Sequence, residues 1–155
     1  MHEALNIDRD GRVATLTVTR PPVNAFSLAM LESMAEELHQ LGADTDISAI
    51  IWRSGIPGIF SAGFDLNEQR GKGSADLPPL HSPPGDHATR VRNAQTALLE
   101  IPVPIIVAIN GAAVGLGMLM PALCDIVIAS KNAHFGLPEI QIDSIGGAGH
   151  ARRIL

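Results

Sequence analysis

Residues 104–119 read PIIVAINGAAVGLGML, an apolar run that breaks into glycines at 111, 115 and 117. Pro104 to Asn110 is near-continuously apolar, as a strand covered on both faces of a parallel sheet should be. The glycines then permit a tight turn and a close approach of backbones, and Gly115 to Leu123 reads as a glycine-led helix. A second stretch repeats this grammar. In Ile50 to Asn67, IIWRSGIPGIFSAGFDLN, a strand meets a Ser61-Ala62-Gly63 turn, and Asp65 stands where a helix would be capped. Strands alternating with helices predict an α/β fold.

The flanks fit that class. Ala4 to Asp8 and Val13 to Thr19 are β-type runs joined by Asp10-Gly11, a hairpin signal. Arg20-Pro21-Pro22-Val23-Asn24 ends the second strand, because proline cannot donate to a ladder. Ser27 is placed to cap a helix in which Leu28, Leu31, Met34, Leu38 and Leu41 recur at helical spacing, with Gly42 closing it. Its carboxylates Glu32, Glu36 and Glu37 read as solvated. Ser48 to Ser54 is a compact strand, and Asp65 to Gln69 starts a short helix. Gly71 to Asp86 is a Pro/Gly/Ser-rich loop, Asp86 to Glu100 a helix, and Asp125 to Ala129 a buried strand.

Bulk properties narrow the function. A chain of 155 residues is expected to form one core domain over 1–155. The net charge of −5, with 11 scattered basic residues, argues against a nucleic-acid partner. Aromatics at 3%, with no tyrosine, leave no stacking platform for bases or sugars. No stretch reaches the roughly 18–20 apolar residues of a membrane span, and Met1-His2-Glu3 does not begin a signal peptide. One cysteine, Cys124, excludes an internal disulfide and fits a cytoplasmic location. His81, His87, His134 and His150 lack metal-ligand spacing, so no metal is expected.

The two glycine turns carry the chemistry. A helix start exposes unpaired N–H donors that suit an anion. The first turn would present the N–H of Phe64 and the second that of Leu116. Two donors converging on one oxygen form an oxyanion hole, and losing one typically costs about 10²–10³ in rate.

FSAGFDL at 60–66, AINGAAVGLG at 108–117, CDIVIAS at 124–130 and FGLPEI at 135–140 together resemble the enoyl-CoA hydratase/isomerase, or crotonase, family. That resemblance implies a crotonase-like spiral of β-β-α units assembled as homo-oligomers, trimers or pairs of trimers. It also implies an acyl-CoA substrate and no separate cofactor, since coenzyme A arrives as part of the substrate. Phe64 and Leu116 match the family's oxyanion donors. Ala62, Gly63, Phe64, Asp65 and Leu66 match the strip lining the thioester pocket. The RPPVNAFS stretch matches the loop at the CoA nucleotide end, with Ala25 and Phe26 as contacts. Glu139 matches the catalytic glutamate that moves a proton beside the thioester carbonyl.

Departures from the pattern shape the reaction expected. Family hydratases position water with a second glutamate, and the matching position here is Leu119. One base can still carry a proton from C2 to C4, so 3-enoyl to 2-enoyl isomerisation is favoured. Hydration and a truncated, non-catalytic CoA-binding or structural fragment are the alternatives. Asp143 is a candidate second carboxylate, more readily read as solvated. Leu116 stands where the family usually has glycine, and Pro121 should kink its helix. The usual C-terminal helical region is expected to be absent. Two other readings are weaker. A dinucleotide site would need GxGxxG rather than the GxxxGxG at 111–117, and a serine hydrolase would need GxSxG and a partner for Ser61.

Overall fold

The computed structural model describes residues 2–70 and 86–138, with backbone alone for 69, 70 and 86–88. Glu139, Asp143, His81, His150 and nearly all of the loop read at 71–86 lie outside the described residues. The chain opens with β1 (Leu5–Asp10) and β2 (Val13–Val18), an antiparallel hairpin in which Asp10 pairs with Val13. Gly11 makes the turn at φ 54°. Next come α1 (Leu28–Ala43), β3 (Ala49–Ser54), β4 (Ile59–Ser61), α2 (Leu66–Arg70) and α3 (Asp86–Leu98). Then follow β5 (Ile105–Ile109), β6 (Ala112–Val114), α4 (Leu116–Leu119), a 3-10 turn at Pro121–Leu123, β7 (Ile126–Ala129) and β8 (His134–Gly136).

The strands build two sheets. The larger has the order β1-β2-β3-β5-β7 and the smaller β4-β6-β8. Every pairing except β1–β2 is parallel. Successive strands β3–β4, β5–β6 and β7–β8 each place one strand in the large sheet and the next in the small one. This is the β-β-α spiral that the resemblance implies. The stretch at 104–119 therefore holds two strands, because the three residues Ala112–Val114 inside the glycine-rich segment form β6. Three residues are too few to show a periodicity.

Ser27 caps α1, its Oγ accepting from the Met30 N–H at 3.1 Å. Leu31, Met34 and Leu38 are fully buried on one helix face, and α1 packs on α3 and β3. Gly42 lies inside the helix and does not close it; Asp44 is the C-cap. A side chain at 42 would stand 2.9 Å from Ile101 and Pro102, so the glycine serves packing. Pro121 likewise heads a separate 3-10 turn and so kinks no continuous helix. The largest correction concerns β7, read as a buried strand. All of its residues are exposed, Ile128 by 60%. β7 ends the order of its sheet among the described residues, and an apolar run cannot reveal whether a neighbour covers it.

Candidate active site

Asn24 organises the first half of the site. It is fully buried and adopts φ 49°, a conformation that Asn tolerates better than most residues. Its side-chain amide donates to the Ser54 Oγ at 2.8 Å and to the carbonyls of Phe60 at 3.1 Å and Val18 at 3.2 Å. Its Oδ1 accepts from the Arg20 N–H at 2.6 Å. The ends of β2, β3 and β4 are thus joined at one residue. The Asn24 carbonyl accepts from Ser61 Oγ at 2.7 Å, and that oxygen accepts the Gly63 N–H at 3.1 Å. Ser61 is fully buried and its hydroxyl is occupied in holding the turn, which removes the nucleophile a serine hydrolase would need.

The loop from Arg20 to Phe26 then pairs with the Phe64 turn. Phe26 and Phe64 form a parallel bridge: the Phe26 N–H donates to the Gly63 carbonyl at 2.7 Å, and the Asp65 N–H to the Phe26 carbonyl at 2.9 Å. In a trans peptide the C=O and N–H point in opposite directions. The Phe64 N–H therefore faces away from Phe26. Ala62 is exposed and its N–H is tied to the Val23 carbonyl, while Leu66 opens α2 and is 39% exposed.

The second turn meets the first through bare backbone. Gly63 sits at φ 91°, and a Cβ there would stand 2.7 Å from the Val114 carbonyl oxygen and 3.3 Å from the Leu116 nitrogen. A Cβ on Gly117 would stand 2.6 Å from the Ser61 carbonyl oxygen. One on Gly111 would collide with the carbonyl of Gly58. The Gly115 N–H donates to the Gly136 carbonyl at 2.8 Å, but the Leu116 N–H meets no acceptor among the described residues. Ala25, Phe26, Ala62 to Leu66 and Leu116 thus gather where the two turns touch. Leu119, at the end of α4, is buried, 6% exposed. With α2 five residues long and α4 four, a summed helix dipole is small. The donors count as single peptide N–H groups.

Asp65 has two tasks. Its Oδ1 accepts from the Asn67 N–H at 3.0 Å, capping α2, and its Oδ2 pairs with the Arg20 guanidinium at 2.8 Å. The Arg20 hydrogen bond first, and the Asn67 backbone N–H second, hold its carboxyl below the usual carboxylate range. Arg20 also donates to the Ala25 carbonyl at 2.7 Å. Glu68 reaches back to accept the Leu28 N–H at 3.0 Å, tying α2 to the start of α1. Beyond α4, burial and then Asp125 push the Cys124 thiol up to about 12. Among the described residues no His/Cys/Asp/Glu cluster could hold a metal ion, and no helix is long and apolar enough to cross a membrane.

The roles of Arg20, Asn24 and Glu68 were not legible from spacing. Only the Pro-Pro-Val-Asn run hinted at an Asn in a special backbone conformation. The β-β-α fold recurs in known proteins. Residues 8–155 match the family described as enoyl-CoA hydratase/isomerase. The chain belongs to that family. A 2,3-dehydroadipyl-CoA hydratase of Escherichia coli (strain K12) is 35% identical, over 97% of this chain and 56% of that protein. A probable enoyl-CoA hydratase of Bacillus subtilis (strain 168) is 36% identical, over 97% and 56%. The crystal structure of an enoyl-CoA hydratase/carnithine racemase from Magnetospirillum magneticum superimposes with a TM-score of 0.86 at 28% identity, over 99% of this chain and 56% of that one. The fold is crotonase-like. The chain spans about half the length of these curated relatives, 56% in both cases.

Proposed function

We propose that this family member acts on acyl-CoA thioesters, holding the thioester oxygen with the N–H groups of Phe64 and Leu116 and moving a proton with Glu139. The observation that carries the reading is the contact between the two turns, where Gly63 lies against Val114 and the Leu116 nitrogen. It sets the peptide unit before Phe64 beside the one before Leu116.

In the favoured reaction, the Glu139 carboxylate takes a proton from C2 of a 3-enoyl thioester. The C–H electrons flow through C1 to the carbonyl oxygen, giving a dienolate whose charge the two N–H groups stabilise. The protonated Glu139 returns the proton at C4. Electrons flow back from oxygen to form the C2–C3 double bond, and the carboxylate is regenerated. No cofactor is required, because coenzyme A belongs to the substrate. Leu119 supports isomerisation, since a buried aliphatic side chain cannot activate water. Hydration of a 2-enoyl thioester is the second reading, and it rests on relatives that are hydratases by name. Assembly as trimers or pairs of trimers, in the cytoplasm, belongs to the same proposal, and native mass measurement tests the assembly.

Offering both 2-enoyl-CoA and 3-enoyl-CoA to the full chain separates the readings. Isomerisation of the 3-enoyl substrate, abolished by Glu139→Gln, is the expected result. Hydration of the 2-enoyl substrate would overturn the part assigned to Leu119. Binding without turnover of either would leave a CoA-binding fragment.

A further inference from the structure

We propose that Arg20 is a positioning residue for the thioester oxygen, acting on it through two intervening peptide groups. The inference rests on the reading of Phe64 as a donor. The Arg20 guanidinium donates to the Ala25 carbonyl at 2.7 Å. The N–H of that same peptide belongs to Phe26 and donates to the Gly63 carbonyl, also at 2.7 Å. The N–H at the far end of the Gly63–Phe64 peptide is the proposed donor to substrate. Among the described residues the cis peptide is Pro21–Pro22, so both relay peptides are trans and their dipoles run head to tail.

A cation therefore stands at one end of a three-bond line and the developing oxyanion at the other. Hydrogen bonds joined through peptide groups strengthen one another by about 10–30% per bond, and a charged donor makes the stronger bond. The line is already aligned before charge develops, which is the condition for electrostatic preorganisation. Arg20 is held to this task at two further points and by partial burial. Its N–H is bound by Asn24 Oδ1, its second guanidinium arm by Asp65 at 2.8 Å, and its side chain is only 33% exposed. A planar fork serves Ala25 and Asp65 together in a way that a lysine ammonium does not. Among the described residues the second donor has no such supply. The Gly115 carbonyl, at the other end of the Leu116 peptide, accepts only the neutral Met118 and Leu119 amides among those residues.

The test uses the full chain saturated with butanoyl-CoA labelled with ¹³C at the thioester carbonyl, read by difference infrared spectroscopy. In the wild-type complex the carbonyl stretch should fall below its value in free ligand. In Arg20→Met it should move back toward the free value, with kcat for 3-enoyl isomerisation lowered about tenfold and KM within about twofold. An unchanged stretch and kcat in Arg20→Met would overturn the relay. So would a raised KM at constant kcat, which would make the guanidinium a contact for CoA itself. No lowering of the stretch in the wild type would remove the Phe64 reading and the relay with it. Should Arg20→Met fail to fold, Arg20→Lys carries the test. Its stretch is expected between those of wild type and free ligand, and a wild-type stretch would refute the proposal.

Discussion

The turn at Gly63 and the turn at Gly115 occupy equivalent places in successive β-β-α units, yet they are held in different ways. The first is fastened by side chains: Asn24, Ser61, Arg20 and Asp65 all bond to it or to the loop paired with it. The second is fastened by backbone and by the absence of side chains, with Gly115 bonded to Gly136 and Gly117 pressed on Ser61. Among the described residues, charged side chains bond only to the first. One half of the site is thus open to titration and to side-chain substitution, while the described contacts of the other are backbone hydrogen bonds and close packing.

Ways to break this comparison follow from the contacts. Of the two glycine substitutions, Gly63→Ala should have the larger effect, because it combines positive φ with a clash on Val114. A loss of about 3 kcal/mol or more is expected in urea denaturation, with turnover down about 10²-fold or further. Gly117→Ala meets a clash without positive φ and should cost about 1–3 kcal/mol. A larger loss at 117 than at 63 would reverse the ranking of the two turns. Asn24→Gly keeps the backbone conformation but strips the buried hydrogen bonds, a loss of about 2–4 kcal/mol. Asn24→Ala should cost about 1 kcal/mol more, since alanine resists positive φ.

Acid should weaken the first turn. The Asp65 carboxyl lies below its ordinary 3.8 in the folded chain, so its contribution is complete above that value and fades as pH falls through the lowered one. The stability gap between wild type and Asp65→Asn, read from urea midpoints across pH, should therefore be constant near neutrality and close below about pH 3.8. Gly117→Ala should instead run parallel to wild type over the whole range. The mildest probe is Cys124, which caps the 3-10 turn at Pro121–Leu123. With its thiol pushed up to about 12, alkylation of the native chain near pH 8 should be at least about a hundredfold slower than after unfolding.

Much of this architecture was legible from the sequence, for reasons that particular residues make plain. The helical spacing of Leu31, Met34 and Leu38, the Ser27 cap and the Asp10-Gly11 hairpin are local signals, and each forms as read. The glycines at 63 and 115 marked the turns because backbone strain is written directly in residue type. What escaped notice is nonlocal. Asn24 gains its meaning from Ser54 and Phe60, 30 and 36 residues away. The pairing of Arg20 with Asp65 spans 45 residues. β6 is too short to have a period, and the exposure of β7 depends on neighbours that its own residues do not specify.

The chain contains one tryptophan and no tyrosine. That tryptophan, Trp52, is 1% exposed on β3, with the rings of Phe26 and Phe60 at 6.2 Å and 5.3 Å between centroids. Phe26 carries the amide bound to Gly63, and Phe60 the carbonyl bound to Asn24. The only strong ultraviolet emitter therefore sits directly behind the loop and turn that would grip a thioester. Its fluorescence should be blue-shifted in the folded state, and quenching or a spectral change when acyl-CoA is titrated in would register movement of that loop without any attached dye.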